Sequence, residues 1–325
     1  MKKTWIVLMV MAGFIVLTGL QPAAYGAGKN KIHFGYLVAD QIHNFASMLM
    51  KEKKFLEAEG IEVKWGEYLA GAYLMQHLAA GEVDFGTCGC VPTMITRGQG
   101  VNVVILAGSN TEGSAIIVKH DIKTPKDLDG KSIGTPGIGS IQDAMVDMVA
   151  RKHNITIKKR HMSVPDMPIF LQKGEIDGFI AWAPHNEKAE ALGYGRIILT
   201  SADILPGHQC CVLVAQGKLL KEEPELVRKV IRAYMKAFQY EQKNHEENID
   251  LVVKYTNAPK DVVKKAWGHT PHPYPPYVSV ESLKMQADGL IKGGKIQKDK
   301  VKDLDKFVAD LYHPKFIKEY MEKSK

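Results

Sequence analysis

Beyond Leu20 the 325-residue chain has no apolar run long enough to cross a bilayer, which takes about 20 residues. It also has no arginine-rich stretch and no interleaving of aromatic and basic residues, so the footprint of a nucleic-acid surface is missing. Neither Gly-x-Ser-x-Gly nor His-Glu-x-x-His occurs, and no paired-carboxylate spacing stands out. Serine hydrolysis and zinc proteolysis thus lose their usual marks, and nothing positive points to catalysis or to a cofactor. Cysteine is scarce, with only Cys88, Cys90, Cys210 and Cys211. Four thiols are too few for a disulfide-built scaffold, so a hydrophobic core must carry the fold.

Composition supplies that core: 45% of residues are hydrophobic and 24% charged, as in ordinary globular proteins. The length exceeds what one compact domain needs, so two lobes are expected. The N-terminus has its own pattern. Lys2 and Lys3 precede an apolar run from Trp5 to Leu20, then Gln21-Pro22 and small residues ending Ala24-Tyr25-Gly26-Ala27. A positive start, an apolar stretch too short for a span and a small-residue exit predict a secretory signal peptide over 1–27, cleaved after Gly26 or Ala27. No cysteine lies near that exit, so nothing suggests lipidation, and a soluble periplasmic chain is expected. The net charge of +7 falls to about +5 without Lys2 and Lys3. Lysines scattered through helical stretches, dense after Lys292, read as a solvated surface.

Along the mature chain, short β-rich runs alternate with amphipathic helices, which predicts βαβ units and a largely parallel sheet. Lys31–Leu37 reads as a strand and 45–56 as a helix stopped by Gly60. Strands are also expected at 61–65, 83–86 and 101–108. The rhythm restarts at Ser114, with strands near 131–134, 176–182 and 196–199 and a third long apolar strand at 211–215. Pro224 opens a helix whose Val227, Val230, Ile231, Tyr234, Phe238 and Glu241 trace one stripe. Two βα series joined by two strand-like crossings suggest a discontinuous lobe at 28–113 plus 216–325, with a second lobe at 114–215. Short crossings suit hinge closure.

In open α/β sheets ligands bind beyond the carboxyl ends of strands, beside helix N-termini. That rule selects Asp40-Gln41-Ile42-His43-Asn44, Ala70 to Tyr73, Cys88-Gly89-Cys90, Thr135 to Ser140, and Ala181 to His185. In the fourth loop Ser140 is a good N-cap, and Asp143 three residues on resembles a capping box. Gly137 and Gly139 leave backbone N–H groups uncovered where an anion would be welcome. No Gly-Lys-Ser/Thr follows this loop and the third glycine of a dinucleotide fingerprint is missing, so it is neither kind of nucleotide loop. Trp182 suits stacking on a planar or apolar group and His185 suits donation to an anion, with packing under the lobe interface as the alternative. Cys88, Cys90, Cys210 and Cys211, with His208 two residues before Cys210, leave three readings open: a soft-metal site, a disulfide, or buried thiols acting as small hydrophobes.

The stretch Leu78-Ala79-Ala80-Gly81-Glu82-Val83-Asp84-Phe85-Gly86, with Gly89 and Pro92, resembles the nitrate/aliphatic sulfonate/taurine-binding protein family. So do Asp129-Gly130-Lys131-Ser132-Ile133-Gly134 through Ser140, Gly174 to Phe179 with Trp182 and Pro184, and Asp288 to Ile296. The resemblance spans essentially the whole mature chain. It implies an α/β, type II periplasmic-binding-protein fold with two βα lobes joined by two hinge strands and a cleft between them. It further implies a monomeric binding protein that delivers a small-molecule ligand to an ABC transporter permease in the inner membrane, with no catalytic residue, no nucleic acid, no metal and no cofactor. The expected ligand-binding residues are His43, Asn44, Gly71, Cys88, Gly89, Cys90, Thr135, Gly139, Ser140, Trp182 and His185. The ligand is left open among nitrate, bicarbonate, taurine, alkanesulfonates, thiamine-pyrimidine precursors and riboflavin. No Arg or Lys falls in the selected loops, which favours a monoanion, or a mostly apolar molecule with one anionic end, over a dianion. A related branch contains the fungal thiamine-pyrimidine synthase, an enzyme with a Cys-rich motif in a region broadly similar to His208-Gln209-Cys210-Cys211. That enzyme reading, and a periplasmic metal carrier using the cysteine cluster, are the alternatives.

Overall fold

Ten strands form two five-stranded sheets in the computed structural model, which describes residues 30–324. The expected signal peptide at 1–27 lies outside the described residues. The strands are β1 (Lys31–Leu37), β2 (Glu62–Tyr68), β3 (Phe85–Gly89), β4 (Val103–Thr111), β5 (Ser114–Val118), β6 (Ser132–Thr135), β7 (Lys158–His161), β8 (Gly178–Trp182), β9 (Arg196–Thr200) and β10 (Gln209–Gln216). The first sheet has the order β2-β1-β3-β10-β4 and the second β7-β6-β8-β5-β9.

Both sheets are mixed rather than largely parallel. β1 pairs parallel with β2 and β3, whereas β10 runs antiparallel to β3 and β4. In the second sheet β6 pairs parallel with β7 and β8, and β5 runs antiparallel to β8 and β9. The reversed strand in each sheet, β5 or β10, is the one on which the chain arrives from the other sheet. The chain reaches β5 through residues 112–113 alone and β10 through residues 201–208, which include only the four-residue Ser201–Ile204 helix. β10 also places residues 209–216 in the first sheet, on the far side of the expected boundary at 215, because its partners are β3 and β4.

The two crossings lie side by side. Glu112 N–H donates to His208 O at 3.2 Å, and Gly207 N–H donates to the Glu112 carboxylate at 2.8 Å. Behind the first sheet runs the Pro224–Lys243 helix, with proline in its first turn. Its apolar stripe meets Phe34, Phe45, Leu49 and Leu213 in one buried cluster. Tyr234 is fully buried there and its hydroxyl donates to Gly108 O at 2.9 Å. Among the described residues, no helix is long and apolar enough to cross a membrane.

Candidate ligand-binding cleft

Loops at the carboxyl ends of β1, β3, β6 and β8 converge with β10 on a cavity of about 240 Å³. This is slightly below the roughly 300–1,000 Å³ usual for small-molecule sites, which suits a small ligand. Asp40, His43, Cys210 and Cys211 line its buried side. After β1 the chain turns tightly, and Asp40 holds the turn. Its Oδ1 accepts from His43 N–H at 3.3 Å and its Oδ2 from the Asn44 side chain at 3.0 Å. The His43 ring is oriented by Gly113, between β4 and β5. Nε2–H donates to the Gly113 carbonyl at 2.9 Å, leaving Nδ1 facing Cys210 Sγ at 3.4 Å.

Burial pushes the Asp40 carboxyl up to about 7, against the pull of His43. Burial pulls the His43 imidazole down, but Asp40 and Cys210 more than offset this and raise it to about 9. The Cys211 thiol donates toward Cys210 across 3.9 Å, which holds Cys210 well below the usual thiol range and pushes Cys211 well above it.

The opposite wall comes from the second sheet. Ser140 caps the Ile141–His153 helix, accepting from Asp143 N–H at 3.1 Å and donating its hydroxyl to Gly137 O at 2.9 Å. The capping box is not completed, because the Asp143 carboxylate meets Lys159 at 3.1 Å and accepts from Thr135 Oγ1 at 3.3 Å. Gly137 and Gly139 have φ of +134° and +83°, a region side chains resist. The first N–H groups of this helix have no intrahelical acceptor, and Ile141 and Gln142 line the cavity. Trp182 ends β8 and donates its indole N–H to Ala39 O at 3.0 Å. His185 Nε2–H donates to the same carbonyl at 3.0 Å. One carbonyl beside β1 thus receives two donors from the second sheet.

Of the expected residues, His43, Gly71, Gly89, Gly139, Ser140 and Trp182 line the cavity. Asn44, Cys88, Cys90, Thr135 and His185 do not. Asn44 turns back to Asp40 and faces a separate recess beside Lys51 and Glu67. β3 runs on to Gly89 and a helix begins at Cys90, so the two cysteines sit in regular elements rather than in a loop. Both are fully buried, and burial pushes the Cys88 thiol up to about 12. Thr135 is committed to Asp143 and to His161 at 2.9 Å. His185 is half-buried, desolvation pulls its imidazole down, and its Nε2–H goes to Ala39. Asp40 and Ile138, which fall in the loops selected from the sequence, also line it, and the lining residues outside those loops include Cys210, Cys211 and Gln142. All four cysteines are free thiols.

Two mixed sheets with a cleft lined from both are the fold of the periplasmic binding proteins. The alkanesulfonate-binding protein of Xanthomonas axonopodis pv. citri, solved with MOPS bound, is similar at a TM-score of 0.74. It is 18% identical, with 88% of this chain and 99% of that chain covered. The periplasmic nitrate-binding protein of Synechocystis PCC 6803 is similar at a TM-score of 0.75 and 13% identity, with 90% and 89% covered. In sequence, the taurine-binding periplasmic protein of Escherichia coli is 27% identical over 241 residues, covering 69% of this chain and 74% of that protein. The chain belongs to the NMT1-like family, whose model matches residues 26–257.

Proposed function

We propose that this protein is the exported solute-capturing component of an ABC importer, binding a small organic anion or vitamin precursor in the cleft and passing it to an inner-membrane permease. It acts as a monomer and releases its ligand unchanged. The observation that carries this reading is the cavity at the meeting of the two sheets, with a helix N-terminus on one wall and an apolar surround. Backbone N–H groups at Ile141 and Gln142 suit a sulfonate, carboxylate or nitrate. Tyr73 and Ile138, 55% and 66% exposed, line the same cavity and offer apolar surface for a ligand's organic end to cover. No Lys or Arg lines the cavity, so a monoanion fits better than a dianion. The taurine- and alkanesulfonate-binding relatives agree with that class.

The two sheets serve as the cores of two lobes, with residues 112–113 and 205–208 as hinges and 1–27 removed on export. Protein recovered from a periplasmic extract is then expected to begin at Ala27 or Gly28 by intact mass. An unprocessed N-terminus in that fraction would remove the export step.

Intrinsic fluorescence tests the capture step, because Trp182 lies at the cavity. Titration with taurine, alkanesulfonates, nitrate and thiamine-pyrimidine precursors is expected to give a saturable change with at least one of them, lost in Trp182→Phe. Ser140→Ala removes the helix cap, at a cost of about 1 kcal/mol in stability, and weakens the same ligand. Silence across the whole panel, checked by calorimetry, would sink the capture reading.

A further inference from the structure

Cys210 and Cys211 are consecutive residues of β10, and consecutive side chains of a regular strand point to opposite faces. Here the pairing with β4 shifts register on both sides of Cys211. A bulge of this kind re-aims side chains, and the two sulfurs end 3.9 Å apart. His43 Nδ1 completes the group: the three donor atoms all lie within 4.8 Å of one another, in residues that are buried yet line the cleft. Asp40 stands beside them, with Oδ1 3.9 Å from His43 Nδ1 and Oδ2 4.0 Å from Cys211 Sγ.

We propose that His43, Cys210 and Cys211 form a binding site for a single divalent ion of the zinc class on the buried side of the cleft, with Asp40 beside the ligands as an outer carboxylate. Zinc bonds of about 2.3 Å to sulfur and 2.0–2.1 Å to nitrogen require tetrahedral edges of about 3.8 Å between sulfurs and 3.5 Å from sulfur to nitrogen. The structure has 3.9 Å and 3.4 Å on those edges before any ion enters. Orientation also fits. A ligating histidine gives its second N–H to a carbonyl or carboxylate, and His43 gives Nε2–H to Gly113 O, which turns the Nδ1 lone pair to the sulfurs. Two sulfurs with one nitrogen favour zinc over hard ions such as magnesium or calcium. The ligand set differs from the one suggested by sequence proximity. His208 donates its Nδ1–H to Leu205 O and stands outside the donor group, as do Cys88 and Cys90. Coordination would tie the loop after β1 to β10 and brace that side of the cleft.

The test uses full-length mature protein, stripped of metal under reducing conditions and titrated with Zn²⁺ and Co²⁺. One ion per chain is expected. The cobalt form should show thiolate-to-metal charge transfer and tetrahedral visible bands, and two of the four thiols should become protected from a thiol reagent. Thermal unfolding should shift upward with metal. Cys210→Ser and Cys211→Ser are expected to abolish the charge-transfer signal. Asp40→Asn should weaken binding by roughly tenfold or more, and Cys90→Ala should bind as the parent does. Circular dichroism identifies any variant that fails to fold, in which case thiol protection in the parent protein decides. No stoichiometric binding, a cobalt spectrum without sulfur charge transfer, or undiminished binding by the Cys210→Ser/Cys211→Ser protein would overturn the proposal. Solute titrations of the stripped protein are read separately, so the import reading and the metal site fail independently.

Discussion

Glu241→Ala is expected to destabilise the protein by about 3–5 kcal/mol, the cost of removing one partner from a buried ion pair. Glu241 lies on the buried face of the Pro224–Lys243 helix, and its Oε1 is 2.7 Å from His272 Nδ1, with side chains only 5% and 4% exposed. Its second carboxylate oxygen and His272 Nδ1 both lack a hydrogen bond, so the pair is held by proximity and His272 is the nearest group that can offset the carboxylate. The ring in turn donates Nε2–H to Ile42 O at 3.0 Å, and it packs edge-on against Trp267, which packs against Phe45. The effect therefore reaches the loop that carries Asp40 and His43. Urea unfolding measures the loss directly, and thermal unfolding should fall by roughly 5–10 °C. A change under about 1 kcal/mol would show that the pair contributes no more than an exposed one. Replacing both residues with apolar ones should cost less than the single change, since no uncompensated charge is left behind.

Gly113→Ala has the second large effect, for a different reason. Gly113 joins β4 to β5 with φ of +85°, which costs a residue with a side chain roughly 1–3 kcal/mol. A Cβ there would sit 2.4 Å from His43 Nε2 and 2.8 Å from the Thr270 side chain. Overpacking of this kind adds about 1–3 kcal/mol. The Gly113 carbonyl accepts from both His43 Nε2–H and Ala183 N–H at 2.9 Å, so one added methyl disturbs the connections to both sheets. Lower stability together with weakened solute binding is expected. If the variant unfolds with the parent and binds equally well, the hinge is less tightly packed than this geometry implies.

The alternation of β-rich runs and amphipathic helices was enough to place most strands, because buried strands of Val, Ile and Leu stand out against lysine-studded helices. β1 and the stripe of the Pro224–Lys243 helix follow directly from that contrast. β7 was not legible: Lys-Lys-Arg-His is polar throughout and mostly exposed at the sheet's edge, with no apolar side to reveal it. The reversed directions of β5 and β10 were hidden as well, since direction depends on which strand becomes the neighbour. In the cleft, Ser140, Gly139 and Trp182 followed from strand-end geometry. Asp40 lay in a loop selected by the same geometry, whereas Cys210 and Cys211 did not follow from it. A bulge in β10 decides where the two thiols point, and the partner of Asp40 is set by a turn rather than by spacing along one element. Cys88 and Cys90 lie off the cavity because β3 extends three residues past the expected end at Gly86 and passes directly into a helix.

The position of β10 also bears on how the chain acquires its shape as it is made. Among the named strands, β4 pairs only with β10, which is about 100 residues downstream. The half of the protein synthesised first therefore retains an open edge until residue 216 has emerged. The second sheet has all its strands by Thr200. So distant a pairing is slow to form, and it keeps the leading half unfinished until the last strand of the first sheet has arrived.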